Sequence, residues 1–343
     1  MQKRRRPAAG KTPRPDNVIN VKWRAGRCFM PAGMPEHLAF FRMETLQNAV
    51  EHLLTIRDPY VQAAFRKTLG ADTQLKTLSF DLASEEANRF LFLATGGSRQ
   101  IGQTTLGWVV ARNHQEFGTA VKAGWEGLRL LHRAAPALTT YPLVSGFVFM
   151  PDRHGRTAMG RELPGYFVAW PEGAAPLHAG RPDQLSLRLA AGFKLLSRAE
   201  TESMRGGLAE LALRAYNVER GVGVNLSAIN PEDILGWRGA SGKNPTGIRA
   251  YFSRARETRT TPGRYLTRVL QAAWPTPAGP CPWTPSDPEV FAGVLRTVAG
   301  EGAADWMLEC AEQQARIIRG GGERTQFAHG QGYIETLREI MLK

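Results

Sequence analysis

The chain has 343 residues, 43% hydrophobic and 22% charged, which is enough apolar material for one large globular unit or two lobes with cores of their own. No run of eighteen apolar residues occurs and no apolar stretch follows the basic N-terminus, so neither a membrane span nor a secretory signal is expected. Cys28, Cys281 and Cys310 are odd in number and far apart, which argues against a disulfide framework or a zinc site and for a reducing, cytoplasmic compartment. The formal charge of +13 is uneven. Residues 1–27 hold Lys3, Arg4, Arg5, Arg6, Lys11, Arg14, Lys22, Arg24 and Arg27 against Asp16 alone, a net +8 that leaves +5 for the rest.

Residues 1–34, rich in Pro, Gly and basic side chains and without an apolar period, read as a flexible basic arm. Its nine cations are the candidate partner-binding set, suited to an acidic protein face or a phosphate backbone; the alternative is a solvated tail. Gly10-Lys11-Thr12 imitates the end of a phosphate-binding loop, but Arg5 stands where a glycine is required and no strand precedes it. Residues 35–72 predict a helical N-terminal extension, with one stripe at Leu38, Phe41, Leu46, Val50 and Leu54. A second follows Asp58-Pro59 at Val61, Ala64, Phe65 and Leu69. They carry no chemistry and read as an appended cap or docking element.

Strand-like runs follow at Leu75–Leu82, Arg89–Thr95 and Leu106–Arg112. Gly96-Gly97-Ser98-Arg99-Gln100 makes a turn. With Gly102 it does not spell G-x-G-x-x-G, so a plain hairpin is expected there, not a nucleotide clamp. Residues 115–132 form an amphipathic helix with Phe117, Ala120, Val121, Trp125, Leu128 and Leu131 on one face. Val144–Met150 and Leu163–Trp170 are two more strands around a polar turn at Pro151–Met159. From Pro182 the pattern reads as helical, first through Leu185, Leu189, Phe193 and Leu196, then through Leu208, Leu211, Ala212 and Ala215. Tyr265, Leu266, Val269 and Leu270 mark another helix, and Trp274–Pro288, with six prolines, a wrapped connector. Phe291–Val298, Ala304–Ile318 and Tyr333–Met341 are closing helices, with Arg319-Gly320-Gly321-Gly322 a hinge or cap.

Asn225–Leu235, N-L-S-A-I-N-P-E-D-I-L, resembles the catalytic loop of protein kinases, H-R-D-L-K-P-E-N-I-L. Pro231, Glu232, Ile234 and Leu235 keep the family's letters. Leu226, Ser227 and Ala228 replace His, Arg and the catalytic Asp, and Asp233 stands in the slot of the metal-binding Asn. Ile248–Glu257, I-R-A-Y-F-S-R-A-R-E, resembles the strand and metal-binding turn I-T-D-F-G-L-A-R-E, with Tyr251 in the Asp slot and Ser253 in the Gly slot; Gly236–Gly247 is an enlarged hairpin loop between them. Val109-Val110-Ala111-Arg112 resembles V-A-I-K with Arg112 in the lysine slot, and Tyr166–Gly173 resembles the hinge between lobes.

The resemblance covers about residues 75–270. It implies an α/β (α+β), two-lobed protein kinase-like fold with a small antiparallel-sheet N-lobe, a helical C-lobe and extra N- and C-terminal helices. The N-lobe and hinge would occupy 73–178, the C-lobe 179–319 with the connector at 274–288, and a final helix 320–343. Arg112, Glu126 and Asp233 would be a vestigial nucleotide site. Glu126 is the helix glutamate expected to pair with Arg112, unless the two are unrelated surface charges.

Alanine at 228 accepts no proton, and a phenol at 251 is neutral at pH 7 and a poor magnesium ligand. The resemblance therefore implies a pseudokinase-like binding, scaffolding or regulatory subunit that engages an acidic partner through its arm. No metal or cofactor is expected, ATP with magnesium included. The alternatives are a nucleic-acid-binding subunit of a larger complex and an atypical ATP-dependent phosphotransferase using Asp233. The seven His are scattered, and H-E-x-x-H, paired Cys and G-x-S-x-G are absent; Asp152 and His154 read as a surface turn.

Overall fold

The structure is a computed structural model that describes residues 20–24, 59–71, 75–85, 89–98, 102–112, 116–150, 161–181, 184–189, 192–238, 248–252, 254–271, 283, 285–320 and 324–342. It is a mixed α+β fold with antiparallel-rich sheets and, among the described residues, seven α-helices.

The β-branched and aromatic runs of the first half form strands β1 (Asn20–Arg24), β2 (Thr77–Glu85), β3 (Arg89–Ser98), β4 (Gly102–Ala111), β5 (Pro142–Met150) and β6 (Arg161–Ala169). They make one six-stranded sheet in the order β1-β2-β3-β4-β6-β5. Neighbours are antiparallel apart from β1, which runs parallel to β2. Helix α1 (Pro59–Leu69) covers one face and helix α2 (Glu116–Ala134) the other.

Strand alternation explains the two covers. Phe90 and Phe92 face α1 with Phe80, Trp108 and Phe167, while Leu91 faces α2 with Val109, Ala111, Val121 and Leu128. Trp108 stacks on Phe167 at 5.6 Å and donates from Nε1 to the Tyr60 hydroxyl of α1 at 3.2 Å. Each such ring pair adds about 0.5–1.5 kcal/mol beyond area burial.

Two expectations change here. Helix α1 is no appendage, because Tyr60, Val61, Ala64 and Phe65 are buried in the sheet's core. The basic arm is not flexible throughout, because residues 20–24 pair with β2 and Trp23 stacks on Phe80 at 4.3 Å. The rest of residues 1–34, the first helical stripe at 38–54 and the turn at 151–159 lie outside the described residues, as does most of the proline-rich connector.

Strands β3 and β4 pair antiparallel as a hairpin is expected to, but Gly96, Gly97 and Ser98 of the expected turn belong to β3, opposite Thr104, Gln103 and Gly102; residues 99 and 100 lie outside the described residues. Gly96 has a packing reason: a Cβ on it would lie 2.5 Å from the Phe65 ring, so the missing side chain lets α1 rest on the sheet.

A turn at 170–174, closed by Trp170 Nε1 donating to Ala174 O at 3.0 Å, leads into the second half. There β7 (Ala175–Arg181), β8 (Gln184–Leu189) and β9 (Gly192–Leu195) join β11 (Ile234–Arg238) and β12 (Ile248–Phe252) in a five-stranded sheet ordered β12-β11-β7-β8-β9. The helix expected from Pro182 is therefore a strand hairpin. Leu185 and Leu187 alternate inward with a period of two, whereas Leu189 and Phe193 of the supposed helical stripe are exposed.

Helix α3 (Arg198–Arg214) begins at a capping box in which Ser197 and Glu200 bond each other's backbone N–H. Strands β10 (Val222–Val224) and β13 (Glu257–Arg259) pair antiparallel, and helices α4 (Pro262–Gln271), α5 (Pro288–Ala299), α6 (Glu301–Gly320) and α7 (Arg324–Met341) complete the chain. Their common core gathers Leu208, Leu226, Ile234, Tyr265, Trp283 and Phe291.

Candidate functional site

The stretch 225–235 is held by its apolar letters. Leu226, Ile229, Ile234 and Leu235 are fully buried, while Ser227 is exposed and Ala228 half-buried. Two 3-10 turns, at Leu226–Ala228 and Pro231–Asp233, carry the backbone between them. Asn225 N donates to Arg256 O at 2.6 Å, which lays the loop against the segment that follows β12. Tyr251 pairs with Leu235 in the β11–β12 hairpin; its side chain and Ser253 lie outside the described residues, as do residues 239–247 of the hairpin loop.

Asp233 is the centre of the site. Its carboxylate bonds Arg89 of β3 through Oδ1, and Arg254 lies 3.5 Å from Oδ2. Oδ2 also accepts from Asn230 N at 2.9 Å. Asp233 is 2% exposed, Arg89 3% and Arg254 8%, so this is a desolvated ion cluster. Asp233, placed by the resemblance in a vestigial nucleotide site and in the alternative reading in a reassigned phosphotransferase site, has its oxygens turned to two guanidinium groups. Among the described residues no group of three or more His, Cys, Asp or Glu is placed to hold a metal ion.

Helix α2 positions Arg254. A Cβ on Gly124 would lie 2.9 Å from the Arg254 side chain, and one on Gly127 would lie 2.2 Å from Ala255 O. Two glycines one turn apart let residues 254–256 pass directly against the helix, at a propensity cost of about 1 kcal/mol each.

Arg112 and Glu126 are not brought together. The Arg112 guanidinium lies over the Phe90 ring, 4.9 Å from its centroid, on the α1 side of the sheet. Glu126 is half-exposed on α2 and pairs with Arg129 at 3.1 Å. Alternation is the reason: Val109 and Ala111 face α2, so the next residue turns away from it. The buried cation on the α2 face comes from the neighbouring strand, as Arg89, which sits opposite Ala111. Of the nine arm cations, Lys22 is exposed on β1 and Arg24 ends that strand; Lys3, Arg4, Arg5, Arg6, Lys11, Arg14 and Arg27 lie outside the described residues.

No family model matches the chain, and no curated protein matches it. The site is therefore read from its own chemistry.

Beside the cluster, Glu232 lies 3.3 Å from His178 Nδ1 of β7, and Phe193 of β9 covers that imidazole with ring centroids 4.4 Å apart. A cavity of about 340 Å³ lies elsewhere, lined by Leu138, Leu213, Tyr216, Val218, Val298 and Met307, with none of the ion cluster among its lining. Among the described residues no helix is long and apolar enough to cross a membrane.

Arg89 and Arg254 are the functional residues that sequence reasoning missed. A signal for Arg89 existed: it heads R-F-L-F-L, a run apolar on both faces, where a cation needs a buried counter-charge.

Proposed function

We propose that the chain is a pseudokinase-like binding module, which holds an acidic protein partner on its surface and does not transfer phosphate. The observation that carries this reading is Asp233, whose carboxylate is neutralised by Arg89 and Arg254. A magnesium ligand must offer its oxygens to the cation. With Ala228 in the slot of the catalytic Asp, the loop also has no proton acceptor there.

Part of the order of elements favours the kinase-like reading: a strand ending in Val109-Val110-Ala111, helix α2, two strands and a turn at 170–174, then further on the long helix α3, the loop and a hairpin. The strands β7, β8 and β9 between the turn and α3 are not part of that pattern. Partner binding falls to the arm, where the excess of positive charge is concentrated.

Two measurements test this. ATP with magnesium or manganese should leave the melting temperature unchanged; a metal-dependent rise above about 3 °C would favour a phosphotransferase. Affinity purification from native extract should retain a protein partner after nuclease treatment and lose it when residues 1–19 are deleted. The deletion stops before β1, because Trp23 is part of the sheet's core. A partner released by nuclease would favour the nucleic-acid-binding subunit.

A further inference from the structure

We infer that the outer edge of β9 is a strand-docking site for an extended acidic segment of a partner protein. The inference rests on the proposed function only for the sign of the partner's charge.

Strand β9 ends the five-stranded sheet, with β8 on one side and, among the described residues, no strand on the other. Leu196 N donates to Leu185 O at 3.0 Å, which fixes the direction of the backbone groups. In an antiparallel ladder alternate residues face the neighbour, so Lys194, opposite Leu187, faces β8. The N–H and C=O groups of Phe193 and Leu195 then point out from the sheet and can receive another strand.

The side chains there are sticky as well. Phe193 and Leu195, on one face of β9, are 49% and 62% exposed, and Leu189 at the end of β8 is 44% exposed on the other face. Phe193 is anchored, with His178 against its ring at 4.4 Å and the Arg188 guanidinium 5.7 Å from its centroid. Edges are protected by proline, bulges, shortness or charge, lysine above all. Gly-Phe-Lys-Leu is four residues long, has no proline and pairs with β8 without a register shift; its guard is Lys194, a charge that repels a basic strand and admits an acidic one.

The charges around the edge select the occupant. Lys194 and Arg198 are exposed and Arg188 is half-buried beside them. Among the described residues the nearby carboxylates are engaged, Glu200 in the α3 cap and Glu232 with His178. A second copy of this chain would set these cations against themselves, in a chain of net charge +13. An acidic segment instead places its carboxylates on the Lys194 side, within reach of Arg198, and lays its alternate apolar side chains over Phe193 and Leu195, where the Arg188 guanidinium already lies over the ring.

The test is fluorescence anisotropy of the full chain with a short fluorescein-labelled peptide of alternating Glu and Val, and its Lys–Val counterpart as control. The Glu–Val peptide should bind and the Lys–Val peptide should not. Leu195→Pro removes an outward N–H while sparing the ladder to β8, and Lys194→Glu reverses the central charge; each should weaken binding about ten-fold or more. If Leu195→Pro lowers the melting temperature, the double variant Phe193→Ser, Leu195→Ser makes the same test through the side chains. Deleting residues 1–19 should leave peptide binding unchanged.

Equal binding of the two peptides overturns the inference, as does full affinity in the variants. So does a concentration-dependent dimer that Leu195→Pro dissolves, which would make the edge a self-association site. Peptide binding lost only on removal of residues 1–19 assigns it to the arm, and the β9 site falls while the proposed function stands.

Discussion

Replacing Asp233 with alanine decides whether that residue is structural or a ligand. Asp233, Arg89 and Arg254 are all buried, and Arg254 lies 3.5 Å from the carboxylate. At that separation the attraction is about 5 kcal/mol for an effective dielectric of about 20. Arg89 is in direct contact on the other oxygen. Desolvating the three groups costs a comparable amount, so the assembled cluster contributes little net stability.

Removing only the carboxylate leaves the guanidinium groups desolvated without their counter-charge, and stability should fall by about 3–5 kcal/mol. Replacing all three together, as Arg89→Met, Asp233→Leu and Arg254→Met, should cost about 1 kcal/mol or less. Urea unfolding followed by tryptophan fluorescence reads the difference. With a slope near 3 kcal/mol/M, the midpoint of Asp233→Ala should drop by about 1–1.7 M. A carboxylate kept open for a cation predicts the reverse, since deleting an uncompensated buried charge leaves stability unchanged or raises it. A midpoint within about 0.2 M of the parent protein would refute the cluster.

Gly127→Ala drives a methyl group onto Ala255 O and should destabilise by about 1–3 kcal/mol in the same assay, more than the helix propensity of alanine returns. Glu126→Gln should shift stability by less than about 0.5 kcal/mol, because its partner is the exposed Arg129; a larger loss would restore a buried pairing for this residue. Burial lowers the pKa of His132, whose Nδ1 lies 2.8 Å from Thr139 Oγ1. The folded state thus favours neutral imidazole, and its stability contribution is full above the ordinary histidine pKa of about 6.5 and lost as pH falls through it. The melting temperature should fall between pH 7 and 5, and fall less in His132→Gln; equal slopes for the two proteins would exclude His132 as the source.

Much of the fold was legible because its strands and helices have clean periods. The three runs at 75–82, 89–95 and 106–112 became β2, β3 and β4 within a few residues, and the stripe at 117–131 became α2. The hairpin at 184–195 is hidden from a search for helical periods because Leu185, Leu189, Phe193 and Leu196 also fit that spacing; Leu187, inward with Leu185, is the residue that breaks the fit. Periodicity could not place the ion cluster, since it joins residues 89, 233 and 254, which are distant in sequence. The Arg112–Glu126 pairing failed for a simpler reason. Matching a motif's letters fixes a slot, but one residue of strand phase turns its side chain to the other face.

The glycines of α2 and the ion cluster bear on one mechanical question, whether the sheet unit can swing away from the helical unit. Three kinds of contact cross between them. Arg89 of β3 bonds Asp233, Gly127 of α2 lies against Ala255, and Thr140 N donates to Phe252 O at 3.0 Å. Opening a cleft wide enough for a nucleotide would separate Arg89 from Asp233 and expose both, at a cost of several kcal/mol that only a tightly bound ligand could offset. A partner docked on an outer strand edge or on the arm demands no such opening. A body closed by a buried ion cluster is therefore compatible with the proposed binding at a strand edge or at the arm, neither of which requires the two units to part.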